Sequence, residues 1–128
     1  YCVLELGINN IGEMEELTKL ALPDIALITN VTNSHIQNFK NEKEIASAKS
    51  KIFLGLNKNG IVILNSDNIW SDFLIKEAKK INAKIHLFGH AKNSNTFISN
   101  IIQVKNGATV CFDDKQDWHL NSLNILAV

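Results

Sequence analysis

The sequence predicts an α/β protein: a mostly parallel sheet with flanking helices, plus a small antiparallel β-ribbon near the C-terminus. Three observations carry this. Short apolar runs at residues 24–29, 60–64 and 84–88 alternate with stretches of helical period at 12–22, 41–56 and 69–82. That alternation builds a parallel sheet through right-handed crossovers. After His90 the helical period stops, and Lys105-Asn-Gly107 stands between two apolar runs, 96–104 and 108–112. Asn-Gly in that setting is a strong short-range hairpin signal. Finally, 128 residues of which 45% are hydrophobic suffice for one domain with a real core.

The elements follow in order. Residues 1–6 read as a first strand, its apolar run interrupted by Glu5, and residues 7–12 as a loop. Residues 12–22 form an amphipathic helix with Met14, Leu17, Leu20 and Ala21 on one side, and Pro23 ends it. Residues 24–29 have the short, continuous apolar character of a strand buried in a parallel sheet. A polar loop holding His35 leads to Asn41, which with Glu44 three residues on makes an N-terminal capping signal. The helix that follows turns Ile45, Ala48, Ile52, Phe53 and Leu56 to one face. Residues 57–60 are a turn, 60–64 a buried strand ending in Asn65-Ser-Asp67, and 69–82 a helix with Trp70, Phe73, Leu74, Ala78 and Ile81 inward. Residues 84–88 are a strand closed by Gly89, and 113–117 a polar loop. The expected division is an α/β core over 1–90, a β-ribbon over 91–118 and the start of a helix over 119–128.

Composition narrows the function. Positive and negative charges balance at thirteen each, so nothing argues for nucleic acid or an anionic membrane as partner. Every basic residue is a lysine; any bound anion must be held by lysine, backbone N–H groups, a helix N-terminus or a metal. Cys2 and Cys111 lack metal-type spacing and suit a reducing cytoplasm. No apolar run is long enough to span a membrane. The chain begins inside a strand-like run and ends inside an apolar one, which reads as a piece of a larger protein.

In open α/β sheets ligands bind at the carboxyl ends of the strands, and here those ends are polar. Glu5 ends the first run, Asn30 the second, and Asn65 with Asp67 the third; His35 and Lys49 belong to the connection leaving the second. At about 100° per residue Lys49 falls in the middle of its helix's apolar face. One reading is a packed stem with its ammonium in water. The other is chemical: burial favours the neutral amine, which reacts with CO₂ to give a carbamate, an oxygen-donor anion able to join Glu5 and His35 around a hard cation such as Mg²⁺. Glu5 also suits a solvent edge, His35 a plain loop, and Asn65 with Asp67 an Asx turn. His86, His90 and His119 read as structural or exposed. No glycine-rich phosphate loop occurs in the sequence.

Several segments together resemble the central, ATP-binding domain of the Mur ligases. Glu5-Leu-Gly-Ile-Asn-Asn-Ile-Gly-Glu13 is similar to an E-L-G-x-N-x-x-G-E segment of the members that add D-Ala-D-Ala to a UDP-MurNAc-tripeptide. Ile28-Thr-Asn-Val-Thr-Asn-Ser-His35 resembles T-N-x-x-x-x-H, and Ala48-Lys-Ser-Lys-Ile-Phe53 resembles A-K-x-E-I-F. Leu64-Asn-Ser-Asp67 resembles an N-x-D strand end, and Asn121-Ser-Leu-Asn-Ile-Leu-Ala127 a helix start. The resemblance implies a bacterial, cytoplasmic, ATP-dependent amide-bond ligase of peptidoglycan precursor synthesis, working through an acyl-phosphate. It implies that Glu5 holds the Mg²⁺ bridging the ATP phosphates, and that His35 and carbamylated Lys49 hold a second one. Asn124 and Asn121 join Asn30, Asn65 and Asp67 as candidate cofactor contacts. The family's phosphate loop is expected upstream of Tyr1 and its C-terminal domain downstream of Val128, so the fragment alone is expected to be inactive. Lys51 departs from the family's Glu, Leu120 from its His, and the segment before Leu120 is short. A folylpolyglutamate synthase-like ligase and a non-catalytic α/β binding module are the competing readings.

Overall fold

A computed structural model describes residues 1–32, 38–104, 107–112 and 116–120. It contains helix α1 (Glu13–Ala21), strand β1 (Ile25–Ile28), helix α2 (Glu42–Ser50) running into a 3-10 turn (Lys51–Gly55), strand β2 (Ile61–Asn65), helix α3 (Ser71–Lys80) and strands β3 (Lys84–Gly89), β4 (Thr96–Val104), β5 (Gly107–Phe112) and β6 (Gln116–Leu120). They form one six-stranded sheet in sequence order. β1, β2, β3 and β4 are parallel neighbours, while β4–β5 and β5–β6 are antiparallel. The expected parallel core and the antiparallel pairing of the two apolar runs after it are both present, while Lys105 and Asn106 lie outside the described residues.

β3 and β4 pair over only two positions, Phe88↔Thr96 and Gly89↔Phe97. The connection between them is too short for the helical crossover that a long parallel pairing needs. Side chains finish the join. Asn95 Oδ1 accepts from Leu87 N at 2.8 Å, and His86 Nε2 meets Thr96 Oγ1 at 2.8 Å. From there β4 bends at an irregularity between Ile98 and Asn100 and leaves the core as the ribbon.

The core lies on one face of the sheet. Ala26, Ile28, Val62 and Leu64 pack with Ile45, Ala46, Ala48 and Phe53 of the α2 segment, Leu74 and Ala78 of α3, and Met14 of α1. α1 lies directly on the 3-10 turn: Thr18 is fully buried and its hydroxyl donates to Ile52 O at 2.8 Å. A Cβ at Gly55 would stand 2.3 Å from Thr18 O, so only glycine allows this approach.

Four expectations need correction. Residues 1–6 are not a strand: a ladder needs a neighbour, no described residue pairs with them, and Tyr1 to Glu5 are exposed. β1 is covered on one side only, with Ile25 at 55% and Leu27 at 49% exposure, because no described element lies over that face. In α1 Met14 is buried as expected but its companion is Thr18, while Leu20 is exposed, and Ile81 lies past the end of α3 and is exposed too. Gln116 and Asp117 do not belong to a loop, nor do residues 119–120 start a helix, since β6 runs through Leu120 and extends the ribbon to three strands. Residues 121–128, with Asn121 and Asn124, lie outside the described part of the chain.

Candidate functional site

β1 stops pairing with β2 at Ile28↔Leu64. The next three carbonyls are taken by side chains instead. Asn65 Nδ2 donates to Thr29 O at 3.2 Å, Lys49 Nζ to Asn30 O at 2.9 Å, and Asn68 Nδ2 to Val31 O at 3.0 Å. Asn30 Oδ1 accepts from Val31 N at 3.0 Å and from Asn68 Nδ2. An unpaired strand end must satisfy its polar groups somehow, and here every carbonyl's partner is a side chain rather than a ladder N–H.

The turn after β2 serves both of its neighbours. Asn65 and Asn68 reach back to β1, while Ser66 and Asp67 reach across to β3. Ser66 N and Oγ both donate to Phe88 O, at 2.8 and 2.9 Å. The Asp67 carboxylate accepts from His90 N at 2.8 and 3.0 Å and from Ala91 N at 3.2 Å. Asp67 N in turn donates to Asn65 Oδ1 at 2.9 Å, which is the expected Asx turn.

Lys49 reaches the β1 exit because α2 starts where the sequence signals it. Asn41 Oδ1 caps Glu44 N at 3.0 Å, and Glu44 Oε2 accepts from Lys40 N at 2.7 Å. Lys49 follows on the face that buries Ile45 and Ala48. It is half-buried, and its ammonium is held by the Asn30 carbonyl rather than extended into water. Burial pushes its pKa below the ordinary lysine value of 10.5. The charged form is thus penalised in the fold, and the penalty is relieved as pH rises through the folded-state pKa toward the ordinary value.

The loop after Glu5 closes on itself and on the His35 connection. Glu13 Oε2 accepts from Asn9 N and Glu13 Oε1 from Asn10 Nδ2, both at 2.6 Å. The Asn9 N–H, with the Asn10 amide beside it, holds the Glu13 carboxyl below its usual range. Asn38, just past the His35 segment, donates from Nδ2 to Asn9 O at 2.9 Å. Ile8 and Phe39 are buried in the same core.

The structure therefore gathers Asn30, Lys49, Asn65 and Asp67 at neighbouring strand exits. Asn30, Asn65 and Asp67 line an open cleft of about 540 Å³. Glu5 is exposed and does not line that cleft. His35 lies outside the described residues, as do Asn121 and Asn124. Among the described residues no three His, Cys, Asp or Glu side chains gather into a metal-holding group. His86 and His90 are structural: His90 Nδ1 meets Ile98 O at 2.7 Å. Sequence reasoning missed Asn68 and Glu42, which also line the cleft. Asn68 Oδ1 accepts from Trp70 N at 2.9 Å, and Trp70 Nε1 donates to Glu42 Oε2 at 3.3 Å. The only signal for Asn68 was a polar turn, and for Glu42 an acidic first turn of a helix.

A family profile described as the Mur ligase middle domain matches residues 1–125. The chain is 44% identical over 109 residues to the UDP-N-acetylmuramoyl-tripeptide–D-alanyl-D-alanine ligase of Buchnera aphidicola subsp. Baizongia pistaciae, covering 84% of this chain and 23% of that protein. Its fold matches MurF from Acinetobacter baumannii with a TM-score of 0.84 at 24% identity, over 94% of this chain and 26% of that one. It also matches MurF of Thermotoga maritima, solved in complex with ADP, with a TM-score of 0.69 at 21% identity, over 86% and 25% of the two chains. The chain thus spans about a quarter of the length of these relatives. No described helix is long and apolar enough to cross a membrane. With nearly its whole length matched, the chain belongs to the Mur ligases, within their middle domain.

Proposed function

We propose that this chain is part of an ATP-dependent ligase of bacterial peptidoglycan precursor synthesis, cytoplasmic, which joins D-Ala-D-Ala to a UDP-MurNAc-tripeptide. In that reaction ATP phosphorylates the substrate carboxylate, and the incoming amine displaces phosphate to form the amide. The observation that carries the reading is Lys49. A half-buried lysine with a lowered pKa stands at a strand exit, in a chain 44% identical to a relative of that name.

The residues suit the roles unequally. Glu5 is an exposed carboxylate of the kind Mg²⁺ takes alongside phosphate oxygens and water. Lys49 as an ammonium is a hydrogen-bond donor and repels a cation. Its neutral amine reacts with CO₂, forming an N–C bond and releasing a proton, and the resulting carboxylate joins His35 as a candidate second ligand set. Bound Mg²⁺ would neutralise charge building on the phosphoryl and acyl oxygens. The protein's share is positioning: Lys49 fixed on the Asn30 carbonyl, and Asn30 and Asn65 shaping the cleft rim. Asp67 keeps its carboxylate on the β3 side. Asn121 and Asn124 are the proposed adenine contacts.

The test uses the complete ligase polypeptide. Lys49→Ala should lower turnover by more than about 100-fold, the scale expected when transition-state charge loses a fixed partner. A short-chain carboxylic acid should restore part of it by replacing the carbamate oxygens. Full activity of the unsupplemented variant would sink the carbamate role.

A further inference from the structure

We infer that Asn68 is a positioning residue for Lys49, acting through the backbone of Asn30 and Val31. The proposal rests on the ligase reading above for its catalytic meaning, though its geometry stands apart from it.

Beyond Ile28 the ladder no longer holds the chain, yet the Asn30 carbonyl must stay put if it is to fix Lys49 Nζ. It is the middle one of three. The Thr29 carbonyl is held by Asn65 and the Val31 carbonyl by Asn68, so the peptide groups on both sides of Asn30 are pinned. Asn68 adds a second grip, donating to Asn30 Oδ1 as well. Its primary amide has two donors and one acceptor oxygen to spend. The donors go to Asn30 and Val31, and the oxygen accepts from Trp70 N, which ties the side chain to the start of α3.

This arrangement serves both states of Lys49. An ammonium donates to the Asn30 carbonyl. A carbamate nitrogen keeps one N–H, which can go on donating to the same oxygen. With that N–H fixed, the planar carbamate has its carboxylate aimed in one direction. If the Asn30–Val31 peptide swings, the amine is still present but its product points elsewhere.

Aspartate at position 68 keeps the shape and the acceptor but removes both donors, so it separates hydrogen bonding from packing. In the complete ligase, Asn68→Ala and Asn68→Asp should each lower kcat by roughly 10–100-fold, the range for residues that orient a ligand from behind. KM for ATP should change little, and Asn68→Asp should be at least as impaired as Asn68→Ala. Two readouts need no activity. Amide exchange at Val31 should quicken in both variants while exchange across residues 61–65 stays as in the wild type. Acetylation of Lys49, counted by peptide mass spectrometry against Lys79 as internal standard, should rise. Unchanged kcat in both variants, or an active Asn68→Asp beside a crippled Asn68→Ala, overturns the proposal. So does exchange that rises equally through β2, which marks a general loss of structure. A wild-type polypeptide without ligase activity defeats the functional reading instead, and the exchange and labelling measurements still decide whether Asn68 holds Lys49.

Discussion

The β1 and β3 flanks of one four-residue turn do opposite things. On the β1 side, Asn65 and Asn68 donate to bare carbonyls, and the third donor is the ammonium of Lys49. On the β3 side, the Asp67 carboxylate collects the N–H groups of His90 and Ala91, and Ser66 closes on Phe88. The outer pair of the turn, Asn65 and Asn68, faces β1, while the inner pair, Ser66 and Asp67, faces β3. The chemistry then sorts itself. A strand end that presents carbonyls needs donors and so can hold a lysine; one that presents N–H groups needs a carboxylate and is finished once it has one. The β1 flank holds the Lys49 ammonium on the Asn30 carbonyl, beside the cleft that Asn30 lines, and the β3 flank is a structural knot.

The strongest way to break this contrast is at Gly89. Its φ is +138°, a conformation that side chains rarely adopt, and a Cβ there would lie 2.4 Å from Ser66 Oγ and 2.7 Å from an Asp67 oxygen. Gly89→Ala should cost about 3 kcal/mol in urea unfolding, combining backbone strain with displacement of both side chains. If the flanks are independent, amide exchange at Val31 should stay near its wild-type rate once the overall loss of stability is allowed for. Faster exchange confined to Val31 would show that the turn moves as one body and that the two flanks are coupled.

A smaller effect is expected at the helix that delivers Lys49. Asn41→Ala removes the cap on Glu44 N, and such losses cost about 1 kcal/mol. Fraying begins at the N-terminal turn, whereas Lys49 sits in the last one, beside the buried Ala48 and Ser50. The unfolding midpoint should fall while ligase turnover of the complete polypeptide remains close to wild type. A large drop in turnover would mean that the cap sets the position of Lys49 along the helix axis.

What could be read in the sequence was what repeats. The alternation of apolar runs and helical periods gave the parallel core, and Asn106-Gly107 between two such runs gave the ribbon. The Asn41/Glu44 cap and the inward placement of Lys49 were legible for the same reason, as both are fixed spacings along one helix. Residues 1–6 failed because strand-like composition says nothing about whether a neighbour is there to pair with. The single-sided burial of β1 failed likewise: Ile25 and Leu27 look as buried in sequence as Ala26 and Ile28. Asn68 was invisible because its importance lies in where its amide reaches across space, and a polar turn residue has no periodicity to betray that. For Asp67 the Asx turn with Asn65 was legible, but the reach of its carboxylate to the N–H groups beyond the next strand was not, since no local pattern encodes it.

The smallest effect belongs to Lys51, two residues from Lys49 and unlike it in every respect that matters. Lys51 Nζ stands 3.3 Å from Glu15 Oε1 of α1, with both side chains about 40% exposed. Water screens such a pair and long side chains lose freedom in forming it, so it should contribute at most about 0.5 kcal/mol. Lys51→Ala should therefore shift the unfolding free energy by less than that, and molar salt should erase the difference. Ligase turnover should not move. Were Lys51→Ala to cost as much turnover as Lys49→Ala, burial against the β1 exit would no longer distinguish the two lysines, and the contrast between the flanks would lose its functional half.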